Sequence, residues 1–284
     1  MVVLLMITSV AAAQLWMIPV QGARTASPGP GGPASEGRLF DIPSHQAWEL
    51  VRRRLKDLAF PPDKIDRASQ FALTKWRAVC AKGVEWLPAP AVPEHYVAKR
   101  VRFVVFVSPF VEPARVYIGS LIEATKMPSV TATAYNVPNV NRALMSEIAN
   151  VLGQEGLPIP PDREERRQLA LSVLKDEADD CLRHGSPPKG AKITPPRKIP
   201  LSEFEFLYPA PALEDRKEGV VQVEFTILED GGVTEIRLLG PKLGRQLEAS
   251  AMGVASLLFY SPAKLDECRV PSIMKYTVRY RLQR

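Results

Sequence analysis

Side chains that could do chemistry are few and scattered along this sequence. It holds three histidines, His45, His95 and His184, and three cysteines, Cys80, Cys181 and Cys268. Catalysis needs nucleophiles, bases or metal ligands that converge on one point. His45 falls in the first turn of a predicted helix, His95 in a proline-rich loop, and His184 at a helix end, where a cation suits the dipole. All three read as surface residues. Asp179, Asp180, Cys181 and His184 lie close together, and Asp180 and His184 would share a helix face. Two ligands do not complete a metal site, so no metal is expected. Neither a Cys-x-x-Cys pair, a phosphate loop, a dinucleotide fingerprint nor a Gly-x-Ser-x-Gly elbow occurs. The expectation is a protein that is not an enzyme and carries no cofactor.

The chemistry left is main-chain hydrogen bonding with cations beside it. Lys and Arg total 37 against 31 Asp and Glu, a net charge of +6. That excess is spread out. Its densest cluster, Arg52 to Arg54, lies on a predicted amphipathic helix and reads as a solvated face rather than a nucleic-acid patch. Near the C-terminus, Met274, Tyr276, Val278, Tyr280 and Leu282 alternate with Lys275, Thr277, Arg279 and Arg281. Period-two alternation marks a half-buried strand. At a sheet edge such a strand offers unpaired N–H and C=O groups, and an extended peptide can add there. The residues expected to form this peptide-binding edge are Lys275, Tyr276, Thr277, Val278, Arg279, Tyr280 and Arg281. Lys275, Arg279 and Arg281 would favour an acidic peptide, or would guard the edge against aggregation. Ser202 to Leu207, which also alternates, could instead cover that edge.

The neighbouring elements must hold this strand. Val221, Val223, Phe225 and Ile227 alternate with polar residues, Asp230-Gly231-Gly232 signals a turn, and Val233, Ile236 and Leu238 mark a second strand. Leu243, Leu247, Ala251, Val254 and Leu258 share one helix face, and Pro262 is expected to stop that helix. The order β-β-α-β predicts an antiparallel sheet with a helix on one face, hence an α+β fold. The ordered set Tyr208, Pro209, Ala212, Glu218, Gly219, Val221, Val223, Phe225, Gly231, Tyr260, Pro262, Tyr280 and Leu282 resembles the TonB C-terminal domain over about residues 200–282. The resemblance implies capture of a short peptide from an outer-membrane transporter, in support of transmembrane transport. In it Tyr208 and Pro209 close the fold, and Gly219 and Gly231 serve turns. The long proline-rich spacer of TonB transducers is not found here.

Residues 1–23 carry no charge, and residues 2–20 are largely apolar. They read as a secretory signal cleaved near Ala13 or as a retained inner-membrane anchor. Either places the protein in the cell envelope, with its bulk in the periplasm. A retained anchor would add an inner-membrane motor of the ExbB/ExbD kind as partner. A cleaved leader would make the chain a soluble periplasmic adaptor or assembly protein. A homodimer is also allowed; no nucleic-acid partner is expected. In an exported chain Cys80 and Cys181 are the candidate disulfide, with small buried thiols as the alternative.

A Pro/Gly linker is expected over 24–42 and a second, Pro-rich one over 185–200, acting as a semi-rigid spacer. Between them, residues 43–184 form a middle α+β domain, and 201–284 the TonB-like one. The middle domain opens with a helix capped by Ser44 and carrying Trp48, Val51, Leu55 and Leu58 on one face. Strands follow at Phe71–Trp76, Val101–Val107 and from Arg115, joined across a turn at 108–113. A helix over 140–152 ends at Gly153, and another spans 162–182. This α-β-β-β-α order resembles the helix-grip domain of outer-membrane assembly lipoproteins such as BamC.

Overall fold

The run Val101 to Val107 is apolar at nearly every position because it is buried on both faces. In the computed structural model, which describes residues 36–92, 96–126, 130–135, 137–159, 192–199, 212, 215–240, 243–266 and 268–282, this run belongs to the central strand of the larger sheet. A strand covered on both sides reads as a continuous hydrophobic run rather than an alternating one.

The first unit comprises β1 (Glu36–Phe40), α1 (Ser44–Asp57), β2 (Pro62–Asp66), β3 (Phe71–Thr74), β4 (Arg77–Ala78), β5 (Val97–Val107), β6 (Ala114–Lys126), β7 (Val130–Tyr135), α2 (Pro138–Leu152) and β8 (Leu157–Pro158). The sheet runs β2-β3-β5-β6-β1-β8, with β4 on β5 and β7 on β6. All its pairings are antiparallel. The helices cover one face: Trp48, Val51 and Leu55 of α1 and Leu144 and Ile148 of α2 pack on Val101, Phe103, Val105 and Ile118. Helix α2 starts with Pro138 in its first turn and ends on Gly153 in the left-handed region, φ 70°. Arg54 of α1 donates to Glu147 of α2 and ties the pair together.

The second unit comprises β9 (Ile193–Thr194), β10 (Arg197–Lys198), β11 (Gly219–Ile227), β12 (Val233–Leu239), α3 (Arg245–Ala255), β13 (Tyr260–Ser261), β14 (Ala263–Leu265), β15 (Cys268–Val270) and β16 (Ser272–Tyr280). The main sheet is β12-β11-β16; β15-β14-β9 and β10-β13 are small ribbons beside it. Val221, Val223, Phe225 and Ile227 of β11 meet Leu247 and Ala251 of α3, as their alternation requires. Ala212 and Tyr260 complete this core. The molecule is thus α+β, with antiparallel sheets in both units.

The two units share a third core. The face of the large sheet away from α1 and α2 presents Phe71, Leu73, Val104, Phe106, Tyr117 and Leu121, and the second unit fills it with Ile199, Val254, Leu257 and Phe259. Phe259 stacks on Phe106 at 4.5 Å between ring centroids.

Several expectations need correction. The predicted first linker already contains a strand, since β1 pairs with both β6 and β8. The second linker contributes β9 and β10, which pair with β14 and β13, and Ile199, which is buried. Pro195 and Pro196 lie between β9 and β10. Pro43, not Ser44, occupies the helix cap position, and the Ser44 backbone N–H and hydroxyl donate to the Glu112 carboxylate. Helix α3 ends at Ala255, well before Pro262. A register shift at Glu224/Thr226, with Glu235 at φ 52°, separates Val233 from Ile236 by three residues on one face, and Leu238, opposite Val223, is 38% exposed. The leader, the 162–182 helix, residues 202–207, His95, Asp179, Asp180, Cys181, His184, Tyr208 and Pro209 lie outside the described residues.

Candidate functional site

Strand β16 pairs with β11 along its whole length, from Gly219 opposite Tyr280 to Ile227 opposite Ser272. Among the described residues it has no second strand neighbour. In an antiparallel ladder alternate residues bond to the partner, so the others turn N–H and C=O groups outward. The strand is held from below. Val278 and Tyr280 are buried against β11 and α3, and the Tyr280 hydroxyl donates to the Leu247 carbonyl at 3.3 Å. At the strand's end the Leu282 N–H donates to Glu218 at 2.6 Å.

The solvent side carries the charge. Lys275, Arg279 and Arg281 are exposed and Thr277 is half-buried. Lys275 stands directly opposite Glu224, and Arg237 on the far strand reaches the same carboxylate at 3.0 Å. That row of alternating charge crosses the whole sheet, and opposite charges on facing positions favour the pairing. Tyr276 is half-buried, touches both the second unit's core and the shared core, and lies under Lys198 at 5.4 Å. The seven predicted edge residues therefore lie consecutively, with their side chains divided between core and solvent. Of the motif residues, Val221, Phe225 and Ala212 are core, Pro262 is buried between β13 and β14, and Gly219 lies against Leu243.

Gly231 is a stricter requirement. It sits at φ 86°, and a Cβ there would lie 2.1 Å from the Tyr260 carbonyl oxygen. Only glycine fits that turn.

The residues that sequence reasoning missed fix this unit to the other one. Asp230, in the same turn, is fully buried. Its carboxylate accepts from the Tyr117 hydroxyl at 2.5 Å, from Arg115 at 2.8 Å and from the Gly232 N–H at 2.9 Å. Its carbonyl accepts from the Ser108 hydroxyl at 2.7 Å. Burial alone would lower the Arg115 pKa, but Asp230, Tyr117 and Glu229 raise it, and the net direction is upward. The guanidinium stays charged. Asp-Gly-Gly read as an exposed turn because that triplet usually is one. The only signal against it was Arg115, a charged residue among apolar ones on a predicted strand.

The expected Cys80–Cys181 bond does not form: Cys80 is an exposed free thiol, while Cys268 is disulfide-bonded. Cys80 lies two residues past the end of β4, at the surface of the first unit. His45 is exposed on α1. Among the described residues no cluster of metal-ligating side chains occurs, and no helix is long and apolar enough to cross a membrane.

A three-stranded antiparallel sheet with one helix matches the α+β expectation drawn from the sequence. Residues 205–282 match the family described as Gram-negative bacterial TonB protein C-terminal. Residues 205–282 are thus similar to the C-terminal domain of TonB proteins. No curated protein matches the chain.

Proposed function

We propose that the chain is a cell-envelope protein whose TonB-like module captures an extended peptide of an outer-membrane transporter as an added strand on β16, in support of transmembrane transport. The observation that carries this reading is the position of β16: it pairs with β11 alone among the described residues, with exposed cations along its solvent side. Affinity would come from backbone hydrogen bonds, and selectivity for acidic segments from Lys275, Arg279 and Arg281. With an N-terminal anchor retained, an inner-membrane motor of the ExbB/ExbD kind would supply the force.

A second reading has its own support. The module is not loose on a spacer but shares a core with the first unit through Phe259 and Asp230. A module fixed this way suits a periplasmic adaptor that presents β16 at a set angle, without energy coupling. Finding Met1 or a residue near Gln14 at the N-terminus of the mature protein separates the two.

Peptide capture itself is tested by titrating the isotope-labelled protein with a synthetic acidic segment from a transporter of the same cell. The expected result is amide shifts confined to alternate residues of β16, weakened several-fold by Lys275→Glu with Arg279→Glu. Shifts on β12 instead, or none, would contradict it.

A further inference from the structure

The three exposed cations at the end of the chain look alike in the sequence and differ in what faces them. Partners in register on an antiparallel pair point to the same face of the sheet. Lys275 stands opposite Glu224. One step past the last pair of the ladder, Gly219 with Tyr280, Arg281 comes level with Glu218, whose carboxylate accepts the Leu282 N–H. Thr277 stands opposite Gln222. Arg279 stands opposite Val220, which is 48% exposed and brings no charge. Lys275 and Arg281 therefore have an acid of their own sheet across from them, and Arg279 has none.

The rows that run across the sheet make the difference plain. Arg237, Glu224 and Lys275 alternate in sign from β12 to β16. The row of Val220 and Arg279 carries one positive charge and reaches β16 uncompensated. On β12, the opposite edge, both charged side chains are engaged: Arg237 with Glu224, and Glu235 with the Thr226 hydroxyl, which donates to it at 2.7 Å. A strand added to β16 continues each row by one residue. Facing opposite charges stabilise such a pair and facing like charges destabilise it. An acid gains most opposite Arg279, because no acid of the protein competes for that guanidinium. The two neighbours of that acid turn to the other face. There Val278 and Tyr280 pack with Leu247 of α3, so apolar side chains suit both positions.

Resting on the capture of an extended segment by β16, we propose that Arg279 is the residue that reads the segment. It selects one Asp or Glu flanked on both sides by apolar residues, and so fixes the register of the added strand. Lys275 and Arg281, each already facing a carboxylate, contribute little to the choice. A one-residue slip would carry the acid to the α3 side and the apolar residues into water.

The test uses the full chain and synthetic segments of nine residues, the length of β16, with a central Asp between two valines or an Asn in its place. Binding is followed by amide shifts of the isotope-labelled protein. The wild type should bind the Asp segment roughly two- to fivefold more tightly than the Asn segment, the worth of one facing pair of opposite charges. That preference should persist in Lys275→Gln and in Arg281→Gln, and vanish in Arg279→Gln. Val220→Glu, at an exposed position, places an acid of the protein opposite Arg279. It should erase the preference as well, while the Asn segment binds as it does to the wild type. An equal preference for Asp in all four variants would overturn the proposal and leave Arg279 as a guard of the edge against aggregation. Loss of the preference in Lys275→Gln but not in Arg279→Gln would overturn it too. Shifts along β16 with no preference for Asp sink the proposal alone. If neither segment shifts the β16 amides, peptide capture on this strand is itself wrong, and the proposal falls with it.

Discussion

Asp230 shows how much one residue decides here. A carboxylate with no exposure survives in a fold only when paired and hydrogen-bonded, and Arg115, Tyr117 and the Gly232 N–H supply that. Removing it leaves Arg115, only 13% exposed, without its partner. Asp230→Ala should therefore cost about 3–5 kcal/mol in chemical denaturation, as for other broken buried pairs. Tyr117→Phe should cost less, roughly 1.5–3 kcal/mol, since only the bond to the charged group goes. Gly231→Ala should cost roughly 2 kcal/mol or more, because positive φ is strained for alanine and the Tyr260 carbonyl blocks its Cβ. A variant as stable as the wild type at any of these positions would remove the account of the turn. None of the three effects is visible in the sequence: Asp-Gly-Gly looks the same whether its carboxylate meets water or Arg115.

At the scale of elements, strands and helices with a clean period were legible. The alternation of Val221 to Ile227 and the stripe of Leu144, Ile148 and Leu152 map directly onto buried faces. Among the described residues β16 pairs with β11 alone, and Lys275, Arg279 and Arg281 on it are exposed. What the sequence obscured has physical causes. The ribbon strands β9, β10 and β13 are two residues each, too short to show a period, and their prolines read as linker. The register shift between Glu224 and Thr226, with Glu235 left-handed, breaks the period of β12 between Val233 and Ile236. For β16 the account makes a prediction of its own. In hydrogen exchange of the free protein, one alternate set of amides within Ile273–Tyr280 should exchange fast and the other slowly, since only one set faces β11. Added peptide should slow the fast set. Uniform protection along the strand before any peptide is added would mean that this edge is already covered.

For the whole molecule, the shared core matters most. The second unit closes the open face of the large sheet with Val254, Leu257 and Phe259, so neither unit keeps its surface when the other leaves. Phe259→Ala should cost about 3–5 kcal/mol. Combined with Asp230→Ala it should split a single calorimetric transition into two, one per unit; two transitions in the wild type would contradict a shared core. This coupling was the least legible feature, because it joins residues far apart in the chain, such as Phe106 and Phe259. The double burial of Val101–Val107 hinted that a second layer exists, but not what supplies it.

The central claim is that β16 receives a transporter segment. Its most direct test is site-specific photo-crosslinking in cells, with the photoreactive residue placed at Thr277 on β16 or at Arg237 on β12, the opposite edge of the same sheet. The account predicts an adduct with an outer-membrane transporter, identified by mass, from position 277 and not from position 237. Adducts from position 237 alone, or no transporter adduct from either edge, would contradict it.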